Sequence, residues 1–292
     1  MERSKRGVKM RFANVNDRFC VLAADGRAID LARASGGRIP AEPLAAYQQW
    51  DDVRDVAGTV LFRADMSMTF GESDLRNPAP GARQVFAVGL NYRDHSEEVG
   101  LPVPTELSVF TKFPTCFTDP YADVALPAGH VDWEVELVIV IGRRAHRIGT
   151  ERAWDHVAGL TVGQDISERI IQMTGAPPQF SLGKSYPGFG PMGPVLVTPD
   201  EFADPGDLEI GCAVNGETAQ CSRTSQLVFP VPEIIARLSA VTPLLPGDVI
   251  FTGTPPGTGI GQTPPRYLAP GDTLTSYITG IGEIRQKFYA AE

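Results

Sequence analysis

The chain has 292 residues, of which 42% are apolar and 21% charged, with 30 glycines and 25 prolines. That length is ample for one large domain or a small domain plus a larger one, and the Gly and Pro content predicts many turns and a β-rich fold. A net charge of −9 argues against nucleic acid and anionic membrane as partners, and no apolar run is long enough to span a bilayer.

The basic start, Met1–Arg6, is not followed by the apolar stretch of a secretory signal, so the cytoplasm is the expected compartment. Cys20, Cys116, Cys212 and Cys221 form no C-x-x-C pair, which indicates inert thiols rather than a zinc or redox motif. Residues 8–30 carry short alternating runs around Asp25-Gly26, a hairpin signal. Residues 41–57 have helical spacing. The polar, turn-rich segment Gly71–Gly81 predicts a boundary, with a small N-terminal β domain over 1–75 and a larger domain over 76–292.

The second domain opens with a strand, Gln84–Leu90. Arg93–Glu98 follows as a short helix or ordered loop. If it is helical, His95 and Glu98 share a face, and the carboxylate can hold one imidazole nitrogen and raise the basicity of the other. A polar surface turn is the alternative. The stretch Trp133–Gly142 then reads as a buried strand. Its alternation sends Glu134 and Glu136 to one face, roughly 7 Å apart along the strand, and Trp133, Val135, Leu137, Ile139 and Ile141 to the other. Two carboxylates on a buried face require that one protonates or that a cation sits between them, and Mg²⁺ or Mn²⁺ suits an all-oxygen site. An edge strand with both glutamates in water is the alternative. The cluster Arg143–Arg147 predicts a solvated turn or a counterweight to acidic neighbours.

Gly159–Gln164 predicts another strand, and Asp165–Met173 has helical periodicity. Asp165, Arg169 and Gln172 would line one helical face, as a metal ligand beside an anion-binding pair, or Asp165 would simply cap the helix. Ser181–Ser185 resembles the end of a phosphate loop, but Pro178 stands where the first glycine is required. Lys184, alone in a Gly/Pro-rich stretch, is a candidate for binding an anionic substrate or for a lowered pKa. Val214–Glu217 predicts a hairpin turn, and Pro232–Leu238 a helix with proline at its start. Asp248–Thr252 enters the loop Gly253–Gly259. Prolines there exclude a dinucleotide fold, and backbone N–H groups are expected to approach a ligand. Two strands close the chain.

Taken in order, Gly89-Leu90-Asn91-Tyr92 with His95-x-x-Glu98, Glu134-x-Glu136, Asp165 with Arg169 and Gln172, Gly183-Lys184-Ser185, and Thr252-Gly253-Thr254-Pro255 resemble the fumarylacetoacetate hydrolase family. The resemblance spans roughly residues 84–290. It implies a β-rich mixed α/β fold, a β-roll catalytic domain that usually dimerises, so a homodimer is expected. It also implies that Glu134, Glu136 and Asp165 bind Mg²⁺, Mn²⁺ or Ca²⁺, that His95 and Glu98 activate water, and that Arg169, Gln172, Lys184 and Thr254 hold a small oxo-acid substrate. Gln164 departs from the asparagine common at that place, a change expected to adjust only the support of the site. The implied activity is metal-dependent hydrolysis of a C–C bond in a 2,4-dioxo acid, with Lys184 offsetting developing charge. Decarboxylation of a 2-oxo diacid or isomerisation of a dienol would use the same site. A β-rich protein with a structural Ca²⁺ site would explain the carboxylates but not His95, Glu98 or Lys184.

Overall fold

The strand predicted over Trp133–Gly142 forms as Val135–Ile141 in a computed structural model that describes residues 9–98, Gly100 and 102–291. The basic residues Met1–Arg6 lie outside the described residues. Every residue of the strand is buried, and it sits in the middle of a 12-stranded sheet. Its neighbours are Val157–Gln164 and Val249–Phe251, both antiparallel to it. Beyond Val249–Phe251 come Val85–Gly89 and the edge strand Ser108–Thr111.

The two faces of this strand bury different things. Leu137 and Ile139 share a core with Ile210, Leu274 and Ile284 of a second, five-stranded sheet. That sheet contains the hairpin of Glu209–Val214 and Glu217–Arg223, whose turn residues Asn215 and Gly216 have φ of 53° and 82°. Positive φ at both central positions matches the twist of the flanking strands, which is why Asn-Gly marks such turns. Val138 and Val140 point the other way, into a separate core with Phe12, Trp50 and Phe251. The helices Pro43–Tyr47 and Trp50–Val60 cover that face, as the spacing over 41–57 predicts.

The expected division at residue 75 is corrected by the topology. Arg11–Val15 pairs antiparallel with Gly190–Val197, and Arg18–Leu22, Ala28–Asp30 and Ser67–Met68 extend outward from it in the same 12-stranded sheet that holds Glu136. The physical reason is coverage. Without these strands and helices, Gly190–Val197 would present an open edge and Val138 and Val140 would face water. The polar segment 71–81 is a crossing between paired parts, with Leu75–Arg76 itself bonded to Arg11–Val15. Arg143 does act as a counterweight, pairing with Asp51 at the start of Trp50–Val60. Cys20, Cys116 and Cys212 are buried, whereas Cys221 is exposed.

Candidate active site

Sheet register assembles the acidic cluster. Val135 lies opposite Gln164 and Glu136 opposite Gly163, so the residues flanking those pairs, Glu134 and Asp165, meet where the two strands end. The backbone confirms it: the Asp165 N–H donates to the Glu134 carbonyl at 2.9 Å. One carboxylate oxygen each from Glu134, Glu136 and Asp165 lies within 4.8 Å of the others, and all three residues are buried.

Two buried lysines balance part of this charge. Lys184 Nζ donates to Glu134 Oε2 at 2.8 Å, Asp165 Oδ2 at 2.6 Å and Ser167 Oγ at 2.8 Å. Lys112 Nζ donates to Asp165 Oδ1 at 2.7 Å and to the Lys184 carbonyl. Burial pushes Glu134 upward, but Lys184 and Arg169 outweigh it and hold the carboxyl at about 2. Glu136 goes the other way. Burial, followed by Asp165 and Glu134, raises it well above the ordinary carboxylate range, against Lys184 and a hydrogen bond from the Gly253 N–H at 2.7 Å. A hard divalent cation fits this donor set: three convergent oxygens, with Glu136 left without an ion pair among the described residues.

The same contacts correct the lowered-pKa alternative for Lys184. Burial alone would lower it, but Asp165 and Glu134 raise it instead. The predicted helix over Asp165–Met173 is also corrected. Only Arg169–Gln172 is helical, capped by Glu168, while Ser167–Glu168 pairs as a strand with Val131–Asp132. That pairing satisfies backbone groups that a helix would otherwise take, so tertiary context overrides the periodicity. Arg169 and Gln172 still meet, with Nη1 donating to Gln172 Oε1 at 2.9 Å. Asp165 reaches the site from the strand end rather than from a shared helical stripe.

Arg93–Glu98 is helical as the residues allow, and His95 Nδ1 lies 2.9 Å from Glu98 Oε2. Glu98 also accepts from the Gly257 N–H at 2.8 Å, tying the helix to the loop after Phe251. Burial raises the Glu98 carboxyl, but the bonds from His95 and Gly257 bring it below its ordinary value. Gly253 has φ of 103°, and a Cβ there would stand 2.7 Å from Asn91 Cβ, so only glycine lets its N–H reach Glu136. Thr254 turns its hydroxyl to the Val135 carbonyl at 3.0 Å.

One cavity of about 550 Å³ gathers these groups. His95, Glu98, Glu134, Glu136, Arg169, Gln172, Lys184 and Thr254 all line it, and Asp165 sits behind them. Sequence reasoning missed three supports. Lys112 is fully buried against Asp165, Asp132 grips Arg169 at 2.9 and 2.6 Å, and Gln220 bonds both Thr254 and the Val135 N–H. A lysine between aromatic residues in Phe110–Phe113 was the available signal for the first.

Fold and site together define a sheet-rich mixed α/β protein in which three buried carboxylates that could hold a divalent metal and a His–Glu pair meet at one cavity. Residues 84–289 match the fumarylacetoacetate hydrolase C-terminal family, and the chain belongs to that family. It is 45% identical over 212 residues to the oxaloacetate tautomerase FAHD2A, mitochondrial, of Bos taurus, covering 72% of this chain and 68% of that one. Among solved structures, a fumarylacetoacetate hydrolase from Exiguobacterium antarcticum superposes with a TM-score of 0.82 at 31% identity, over 97% of this chain and all of that one. A fumarylpyruvate hydrolase from Pseudomonas aeruginosa, in complex with Mn²⁺ and pyruvate, gives a TM-score of 0.65 at 31% identity, over 72% of this chain and 91% of that one.

Proposed function

We propose that this chain is a divalent-metal-dependent enzyme that moves a proton at the carbon next to the oxo group of a 2-oxo acid, interconverting keto and enol forms. The observation that carries the reading is the His95 Nδ1 to Glu98 Oε2 contact of 2.9 Å on the cavity shared with Glu134, Glu136 and Lys184. With Nδ1 engaged, Nε2 is the ring nitrogen left to take a proton from the substrate and return it. Glu98 orients the ring and offsets the charge it gains. Glu134, Glu136 and Asp165 would hold Mg²⁺, Mn²⁺ or Ca²⁺, which when bound supplies Lewis-acid polarisation of the 2-oxo group. Lys184, with Arg169 and Gln172 beside it, supplies positive potential where negative charge develops. The relative from Bos taurus, named for oxaloacetate tautomerisation, supports this reading.

Hydrolysis of a 2,4-dioxo acid is the second reading, supported by the Pseudomonas aeruginosa relative, a hydrolase holding pyruvate. There His95 Nε2 would take its proton from water instead of carbon. The test is a paired assay on the Mn²⁺-loaded protein: enol-oxaloacetate ketonisation by ultraviolet absorbance, and acetylpyruvate cleavage by pyruvate release. Metal-dependent ketonisation that falls about 10²-fold in His95→Ala is the expected result. Cleavage without ketonisation would favour the second reading, and neither activity would sink both.

A further inference from the structure

The cavity has a polar end and an apolar wall. Val88, Leu90, Phe110, Met173, Phe180 and Ile260 form the wall, and the Phe110 and Phe180 rings meet edge to face at 5.6 Å. The Phe110 ring also stands 5.1 Å from Lys184 Nζ, so the wall begins where the charged cluster ends. A substrate anchored at the carboxylates would extend along these rings.

Among the described residues lining the cavity, the arginines and lysines number two, Arg169 and Lys184, and both are tied into the carboxylate cluster at the polar end. Lys184 has three N–H bonds, and they are matched to Glu134, Asp165 and Ser167. Four of the five Arg169 N–H bonds are matched, Nε and one from Nη2 to Asp132 and the two of Nη1 to Glu134 and Gln172. His95 engages Glu98 through Nδ1, and its Nε2 is the atom assigned to the reacting end of the substrate. A carboxylate carried on a long substrate tail would leave water for a wall whose own residues carry no cation, with the carboxylates of Glu98 and Glu134 on the same cavity.

We propose that this wall selects 2-oxo acids with an uncharged, apolar tail over those whose tail ends in a second carboxylate, with Phe110 and Phe180 as the specificity-determining residues. The inference rests on the reading of the site as one for 2-oxo acids. Oxaloacetate stands outside the comparison, because its second carboxylate is only two bonds from the oxo carbon and stays at the polar end.

The experiment is calorimetric binding of 2-oxohexanoate and 2-oxoadipate to the Mn²⁺-loaded protein, since the two have equal chain length and differ in tail charge. Binding needs no turnover, so it does not depend on which reaction the enzyme runs. The expected result is 2-oxohexanoate binding at least about tenfold tighter. Phe180→Leu should keep that gap, and Phe180→Arg should shrink or invert it by giving the tail a cation. Phe180 is half-buried, so both substitutions have room at the surface. Equal or tighter binding of 2-oxoadipate to the unsubstituted protein overturns the inference and leaves the proposed function standing. No binding of either acid overturns both. A gap unchanged in a folded Phe180→Arg variant overturns the role given to Phe180.

Discussion

Glu136 and Val138 are neighbours on one face of the same strand, yet their surroundings are opposite. Val138 and Val140 lie under Trp50, Phe12 and Phe251, supplied largely by the N-terminal strands and helices. Glu136 and Glu134 lie two and four residues away, among Asp165, Lys184, Arg169 and the cavity. One end is held by apolar burial, which is non-directional and tolerant of pH. The other is held by charges whose balance depends on occupancy and protonation. The close packing of the first end is visible at Gly163, where a Cβ would stand 2.4 Å from Val138 Cγ2, and at Gly142, where it would stand 2.6 Å from Trp50 Cδ1. A rigid, dry end of the strand therefore sets the position of carboxylates that could not otherwise remain together.

The strongest test of this contrast is at the charged end. Glu134→Gln and Glu136→Gln should each abolish divalent binding, read by calorimetry, and activity with it. Their effects on the metal-free protein should differ in sign. Glu134→Gln removes the carboxylate that pairs with Lys184 and Arg169, and should cost about 3 kcal/mol in urea unfolding. Glu136→Gln removes a carboxyl whose folded pKa is raised by burial and by two like charges, and should raise the melting temperature at neutral pH. A raised folded pKa means that the favourable contribution is present below the ordinary value and is lost as pH rises. The chelator-treated protein should therefore lose stability as pH climbs from that value, and Glu136→Gln should flatten the loss. Identical signs for the two variants would break the comparison.

At the apolar end, Trp50→Ala should cost about 3–5 kcal/mol of stability by leaving a cavity under Val140 and Gly142. Metal affinity and turnover of the remaining folded protein should stay within about twofold. A large loss of metal affinity in that variant would show that the two ends are coupled rather than separate.

His95→Ala comes next in size. A general-base contribution of about 10²-fold corresponds to about 2.7 kcal/mol of barrier. Divalent affinity should be unchanged, because the carboxylate that His95 bonds is that of Glu98 and not Glu134, Glu136 or Asp165. Glu98→Gln should be milder, as its amide can still accept from the Gly257 N–H. Unchanged turnover in His95→Ala would remove the pair from the chemistry.

The same contrast explains what could be read from the residues alone. The strand, its two faces and the pairing of His95 with Glu98 follow from short-range spacing, which the chain carries locally. Asp165 was placed with the right partners but on the wrong element, because the pairing of Ser167–Glu168 with Val131–Asp132 joins residues more than thirty apart. Lys112 carries no local sign of its partner, because its acceptor Asp165 is 53 residues away. The N-terminal layer was read as separate for the same reason: the bond from Arg11–Val15 to Gly190–Val197 spans most of the chain. Local patterns reveal faces and caps, whereas they carry no trace of which distant edge a strand will choose.

The smallest expected effect lies at Gln164, where the rigid sheet hands over to the charged cluster. Its Oε1 accepts from the Glu134 N–H at 2.7 Å, and its Nε2 donates to Ser276 Oγ at 2.8 Å. The side chain is fully buried and spans from one sheet to the other. Asparagine, common there in the family, is one methylene shorter and cannot make both bonds without movement of the backbone. Gln164→Asn should therefore lose one buried hydrogen bond, about 1 kcal/mol of stability. The Glu134 backbone would be less firmly held, so divalent affinity should drop by up to about tenfold, the lower range for a residue that supports a ligand from behind. Because the carboxylates and His95 are untouched, turnover should recover when Mn²⁺ is raised to saturation. Ser276→Ala removes the far anchor alone and should reproduce the stability loss with a smaller shift in affinity. If Gln164→Asn lowers turnover even at saturating Mn²⁺, the residue does more than hold Glu134, and the boundary between the two ends of the strand lies further into the sheet than Glu136.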